Sequence, residues 1–145
     1  MSHVTQVDGL EVNDLDCLEE AAKELGMELV RGQKTYKWFG RHVGDYPMPA
    51  GFTSADMGKC DHALRVKDNN SAYEVGVVKN KNGKGFSLLF DFWAGGYGLQ
   101  DKIGQGAEKL KDQYIAAVSK KQLESEGYIV SKITRADGSI KLKAR

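Results

Sequence analysis

The run Trp93-Ala94-Gly95-Gly96-Tyr97-Gly98 joins an apolar segment to a predicted helix. Glycines let backbone amides turn inward, and a helix N-terminus carries partial positive charge, so this arrangement suits a phosphate or a carboxylate. Lys102 lies where it can assist from the first turn of the helix, whereas Asp101 opposes an anion. The run is neither a P-loop nor a dinucleotide fingerprint. The other interpretation is a tight strand-to-helix turn in which a bulky residue would clash.

Asp91 lies between two phenylalanines in the most apolar segment of the chain, residues 86–93. An unpaired buried carboxylate is costly, so Asp91 is a candidate general base with a raised pKa or a partner for a lysine or arginine. Strand alternation offers a simpler hypothesis. Leu89, Asp91 and Trp93 share one face, which we expect to be the outer one, while the residues between them face the core. This favours a structural or exposed carboxylate.

Cys60-Asp61-His62 places a thiol and an imidazole two residues apart, and His3 and His42 lie elsewhere. These ligand types suit zinc, and a thiol beside an imidazole suits nucleophilic catalysis. However, zinc sites usually show several ligand pairs at short spacing, and this chain has one. We therefore predict no catalytic residue, no metal site and no cofactor. Cys60 and Cys17 are expected to be free thiols of a reducing compartment.

Aromatic and basic residues are interleaved in residues 34–42. Tyr36 and Trp38 can stack on bases while the cations meet phosphates. The same pattern fits a strand with Tyr36 and Trp38 on one side and Lys37 and Phe39 on the other. The candidate ligand-binding residues are thus Tyr36, Trp38, Asp91, Trp93, Gly95, Gly96, Tyr97, Gly98 and Lys102.

Two amphipathic helices are predicted from apolar residues at helical spacing. The first covers 13–26, with Asn13 as its cap and Gly26 at its end. The second covers about 99–126 and ends at Gly127. Its apolar stripe is Ile103, Ala107, Leu110, Tyr114 and Val118.

Short strands are predicted at 3–10, 27–30, 35–39, 63–66, 73–77 and 86–93, and a terminal hairpin at 128–134 and 140–144. In the last strand apolar residues alternate with lysines, so one face should be exposed to solvent. Residues 40–60 form a long irregular loop. The order of elements predicts one α+β domain over 1–145. Its antiparallel sheet carries two helices on one face, in a ferredoxin-like arrangement with extra strands.

The composition is that of a water-soluble domain of 145 residues with 41% hydrophobic residues and a net charge of +1. No apolar run approaches the ~20 residues of a membrane span, and the N-terminus lacks a signal pattern, so we expect a cytoplasmic protein without membrane contact. Residues 1–78 carry 8 cations against 13 acidic residues, and residues 79–145 carry 13 against 7. The split suits docking of a partner or self-association, or reflects solvated faces. Nucleic acid is unlikely because binders concentrate more basic charge.

Four segments together resemble the hypothetical-chloroplast-frame family of unknown function, which also occurs in bacteria and phages. They are Met1-Ser2-His3, the strand at 88–93, the stretch 95–114 with its glycines and Tyr114, and the ending at 126–128 and 137–142. The resemblance spans nearly the whole chain. It implies a cytosolic accessory protein with no established activity, and an association with AAA-type ATPases.

The favoured function is therefore a non-enzymatic accessory or adaptor protein that binds another macromolecule, a protein partner or a second copy of itself. Three features indicate a binding function: the missing catalytic constellation, the unequal charge of the two halves and the basic hairpin. The alternative is a binder of a nucleotide or small anion at the glycine-rich turn. A hydrolase or thiol enzyme is the weakest interpretation, because nothing in the sequence brings its residues together.

Overall fold

A five-stranded antiparallel sheet forms the centre of the computed structural model, which describes residues 4–7, 9–40, 48–49 and 51–145. Its strands are β1 (Val4–Gln6), β2 (Met27–Arg31), β3 (His62–Val66), β4 (Val75–Lys79) and β5 (Phe86–Asp91). Their order is β1-β5-β4-β3-β2, so β1 and β2 form opposite edges of the sheet. The first helix lies between these two strands in the sequence. The predicted α+β class, with an antiparallel sheet and helices on one face, is confirmed.

The first helix, α1 (Leu15–Glu24), is shorter than the predicted 13–26, and its cap lies one residue later than predicted. Asn13 is not its cap. The Asp14 carboxylate accepts a hydrogen bond from the Cys17 amide at 3.1 Å and also pairs with Lys121. The amides of Asn13 and Asp14 instead donate to the Tyr114 hydroxyl, so a distant aromatic residue fixes the start of the helix.

The predicted helix 99–126 is interrupted, which gives α2 (Leu99–Ile103) and α3 (Glu108–Ser125). Gly104 and Ala107 have φ values of 92° and 61°, which a continuous helix excludes. The Glu108 carboxylate accepts hydrogen bonds from the Gln105 and Gly106 amides, so the break has its own local bonds. The predicted stripe nonetheless faces the core, because Ile103, Ala107 and Leu110 are fully buried.

The sheet has an apolar cluster on each face. Leu88 and Phe90 of β5 face the cluster under the helices, and Leu89 faces a second cluster under residues 34–40 and 51–60. The predicted strand at 35–39 is wrong, since among the described residues it makes one isolated bridge, between Thr35 and Lys59. That segment crosses the sheet as an irregular cover. Its side chains alternate as predicted, with Tyr36 in the second cluster and Lys37 exposed.

The C-terminal ribbon is a separate two-stranded sheet of β6 (Val130–Thr134) and β7 (Ile140–Ala144), as predicted. It lies against α3, where Lys132 Nζ donates to Gln113 Oε1 at 2.9 Å. Among the described residues, no helix combines the length and apolar character needed to cross a bilayer.

Candidate functional site

The Asp91 carboxylate joins two of the predicted candidate regions. Asp91 is fully buried, and its two oxygens accept hydrogen bonds from the Phe39 amide at 3.1 Å and the Trp93 amide at 2.9 Å. The predicted alternation of β5 is correct, but the face that carries Leu89 and Asp91 is not an outer face, because residues 34–40 and 51–60 cover it. Asp91 therefore anchors the aromatic segment at 36–39 to the start of the glycine-rich turn.

The glycine-rich turn at 93–98 has an unusual backbone. Ala94, Gly95, Gly96 and Tyr97 are four consecutive residues with left-handed φ and ψ angles, and Ala94 has φ 52° while Tyr97 has φ 53°. L-residues other than glycine pay about 1–2 kcal/mol each in that region. Such strain persists only where the surroundings fix it, and it concentrates at functional sites.

Contacts from the loop before β4 fix the turn. The Tyr73 amide donates to the Gly96 carbonyl at 2.8 Å, and Asn69 Nδ2 donates to the Tyr97 carbonyl at 3.0 Å. A Cβ at Gly98 would lie 2.7 Å from Asn69 Nδ2, so the close approach requires glycine there. Tyr97 also packs edge-on against Tyr73, with ring centroids 5.1 Å apart.

Three large aromatic side chains on the two segments that Asp91 joins reach solvent. Phe39 is 56% exposed, Trp93 41% and Tyr97 49%. We call these three residues the aromatic patch. The backbone of Phe39 and of Trp93 meets at Asp91, and the backbone of Tyr97 is held by Asn69. The patch is thus built on fixed backbone although its rings are half exposed.

Tyr36 and Trp38, two predicted ligand-binding residues, have mainly a packing role. A Cβ at Gly76 of β4 would lie 2.3 Å from the Tyr36 ring, and one at Gly58 would lie 2.3 Å from the Trp38 indole nitrogen. Each ring therefore fills the space above a glycine. Burial raises the pKa of the Tyr36 hydroxyl to about 12, and the nearby Asp91 charge acts in the same direction.

Three amides of the turn that could contact an anion are already bonded within the protein. The Trp93 amide is bonded to Asp91, the Gly95 amide to the Phe92 carbonyl, and the Leu99 amide to carbonyls of the turn. The helix that follows has five residues, too few for a strong dipole. Lys102 Nζ lies 3.7 Å from the Cβ position of Gly26, at the end of α1.

Cys60, Asp61 and His62 do not form one constellation. The Cys60 thiol donates to the Gln33 carbonyl at 3.1 Å, whereas the Asp61 carboxylate accepts from the Lys79 amide at 2.8 Å. His62 Nδ1 accepts from the Gly32 amide, its ring packs on Phe86, and burial lowers its pKa. His3 and His42 lie outside the described residues, among which no three His, Cys, Asp or Glu residues cluster as metal ligands.

We expect both thiols to be inert in the folded protein. Burial raises the pKa of Cys17 to about 11 and that of Cys60 to about 12, and their side chains are nearly inaccessible. At mildly alkaline pH the reactive thiolate is then a minor fraction of each. Ellman's reagent should titrate two thiols per chain in denaturant and react only slowly with the native protein. Fast stoichiometric reaction of the native protein would contradict the assignment.

Sequence comparisons add no family to this site. No family model matches the chain, and neither a curated protein nor a solved structure matches it significantly. The resemblance to the chloroplast-frame family stays a prediction. Sequence reasoning proposed Trp93 and Tyr97 but missed Phe39 as an exposed ring and Asn69 as a support. The aromatic run at 36–39 was the available signal for Phe39.

Proposed function

We propose that this protein is a non-enzymatic cytoplasmic accessory or adaptor protein that binds another protein through the aromatic patch. The observation that carries the proposal is the half exposure of Phe39, Trp93 and Tyr97 on backbone fixed by the buried Asp91 carboxylate and by Asn69. Tryptophan and tyrosine are the residues that contribute most to protein interfaces. Rings held on ordered backbone lose little further conformational entropy on binding.

The chemistry of the patch favours a protein over a nucleic acid. Nucleic-acid affinity depends on cations that neutralise phosphates. Lys37, a cation near the patch, already donates its Nζ to the Asn70 carbonyl. The buried Asp91 charge beneath the patch also opposes a phosphate.

The proposal is tested by panning a displayed random-peptide library on the wild-type protein, with counter-selection on a Phe39→Ala/Trp93→Ala variant. We expect enriched peptides to bind the wild type and to lose at least about tenfold in affinity on the variant, since removal of two anchor rings costs more than 1.4 kcal/mol. The matched control is Tyr128→Ala, which removes a 46% exposed ring near the end of α3. Peptides that bind all three proteins equally would contradict the proposal.

A nucleotide or small anionic ligand is the second candidate, because Trp93 and Tyr97 offer exposed ring faces on either side of the glycines. Base stacking on such rings tolerates any base. The occupied amides of the turn give this candidate less support. A binder would show a rise in melting temperature with millimolar nucleotide, by mass action. Absence of any shift across a nucleotide panel would exclude it.

A further inference from the structure

Part of the charge split of the sequence is neutralised inside the fold. Acidic residues of and beside α1 pair with cations from the second half of the chain: Asp14 with Lys121, Glu20 with Lys120 and Glu24 with Lys132. Lys141 and Lys143 of β7 are exposed and form no ion pair with a described carboxylate. Strand β7 therefore carries two positive charges that no described carboxylate neutralises.

Strand β7 also has a free edge. Among the described residues it pairs with β6 alone. The Ile129 and Arg145 backbones exchange both hydrogen bonds, so antiparallel alternation directs the amides and carbonyls of Lys141 and Lys143 toward β6. Those of Ile140 and Leu142 then point outward, ready to pair with another strand.

Beside this strand, a groove of about 270 Å³ lies between β7 and α3. It is lined by Asp112, Ile115, Ala116, Ser119, Ile140 and Leu142. Ile115 is 46% exposed, although Ile140 and Leu142 line the same groove. The two sides of the ribbon thus differ, because Ile140 and Leu142 face the groove while the lysines that alternate with them are exposed to solvent.

We propose that the free edge of β7 binds an extended segment of a partner protein in which acidic and apolar residues alternate. A strand added at this edge directs every second side chain into the groove and the others alongside Lys141 and Lys143. Apolar residues suit the first position and carboxylates the second. A second copy of β7 paired over its full length is disfavoured as the occupant by its own charge, since that register brings lysines opposite lysines.

This edge is a different surface from the aromatic patch, so the two assignments fail independently. The probe is a short blocked, dye-labelled peptide of alternating Glu and Val, measured by fluorescence anisotropy. We expect saturable binding that weakens as salt is raised, and that is lost when the peptide carries N-methylated backbone amides. The corresponding Lys–Val peptide should not bind.

The decisive variant is Lys141→Glu/Lys143→Glu, compared with Lys84→Glu/Lys109→Glu, which changes net charge equally at two exposed lysines elsewhere. The first should weaken Glu–Val binding at least about tenfold and create binding of the Lys–Val peptide, because two charge pairs are reversed. The second variant and Phe39→Ala/Trp93→Ala should bind like the wild type. Any of three results would overturn the proposal. They are equal effects of both charge variants, unchanged binding of the N-methylated peptide, and displacement of the peptide by a short oligonucleotide at equal concentration.

Discussion

Asp91→Ala is expected to lower the free energy of unfolding by about 3 kcal/mol, because two amide donors lose their acceptor at about 1–3 kcal/mol each and a small cavity adds to the loss. The donors are the Phe39 and Trp93 amides, which meet on the two oxygens of a fully buried carboxylate. Chemical denaturation measures the loss. Trp93 emission in the native state should also shift to the red, because its backbone anchor is gone.

Two further variants make this prediction specific. Asp91→Asn keeps one acceptor oxygen but presents an NH₂ group to the second donor, so its cost should be intermediate. Asp16→Ala removes a carboxylate of similar chemistry that is 79% exposed and pairs with Arg31 on the surface. Its cost should stay below about 1 kcal/mol. If Asp91→Ala were as mild as Asp16→Ala, the anchoring role of Asp91 would be wrong.

Gly76→Ala is the second large effect that we expect, with a loss of about 3 kcal/mol from overpacking. The new Cβ would lie 2.3 Å and 2.5 Å from two ring carbons of Tyr36, which is buried between β4 and the covering segment. Gly76 has no positive φ, so the predicted penalty arises from the collision and not from backbone strain.

A double-mutant cycle with Tyr36 tests the cause. In a Tyr36→Phe background the ring remains, and Gly76→Ala should carry its full cost. In a Tyr36→Leu background the shorter side chain can turn away, so the cost should fall by at least about 1 kcal/mol. Gly106→Ala is the matched control, because its Cβ would meet a single atom at 3.6 Å without a positive φ. An equal cost of Gly76→Ala in both Tyr36 backgrounds would contradict the packing account.

The local elements could be predicted because their signals are periodic. Helix α1, strands β2 to β5 and the C-terminal ribbon follow from apolar spacing and turn residues. The interruption of the second helix could not be predicted from Gly104 alone, since the left-handed Ala107 depends on tertiary context. The prediction that Asn13 caps the first helix was wrong for a similar reason. The Asn13 amide donates to the Tyr114 hydroxyl, and the neighbouring Asp14 accepts the hydrogen bond from the helix.

The site was only half predictable. The alternation of β5 correctly placed Leu89 and Asp91 on one face, but residues 51–60 show no period that would reveal a cover over that face. The bond from Phe39 to Asp91 joins residues 52 apart in sequence, and no local pattern encodes it. The solvent-exposed face of β7 was predicted from its alternating lysines. The groove between β7 and α3 could not be predicted, because it depends on how the ribbon lies against that helix.

The most direct test of the aromatic patch is the pair of indole N–H signals in a ¹H–¹⁵N spectrum of the protein, assigned with Trp93→Phe. The chain has two tryptophans, of which Trp93 is exposed and Trp38 packs on Gly58. On titration with a peptide enriched by panning, the Trp93 signal should shift and saturate while the Trp38 signal moves little. An unchanged Trp93 signal, with shifts at Trp38 or elsewhere on the protein, would contradict the assignment of the binding surface.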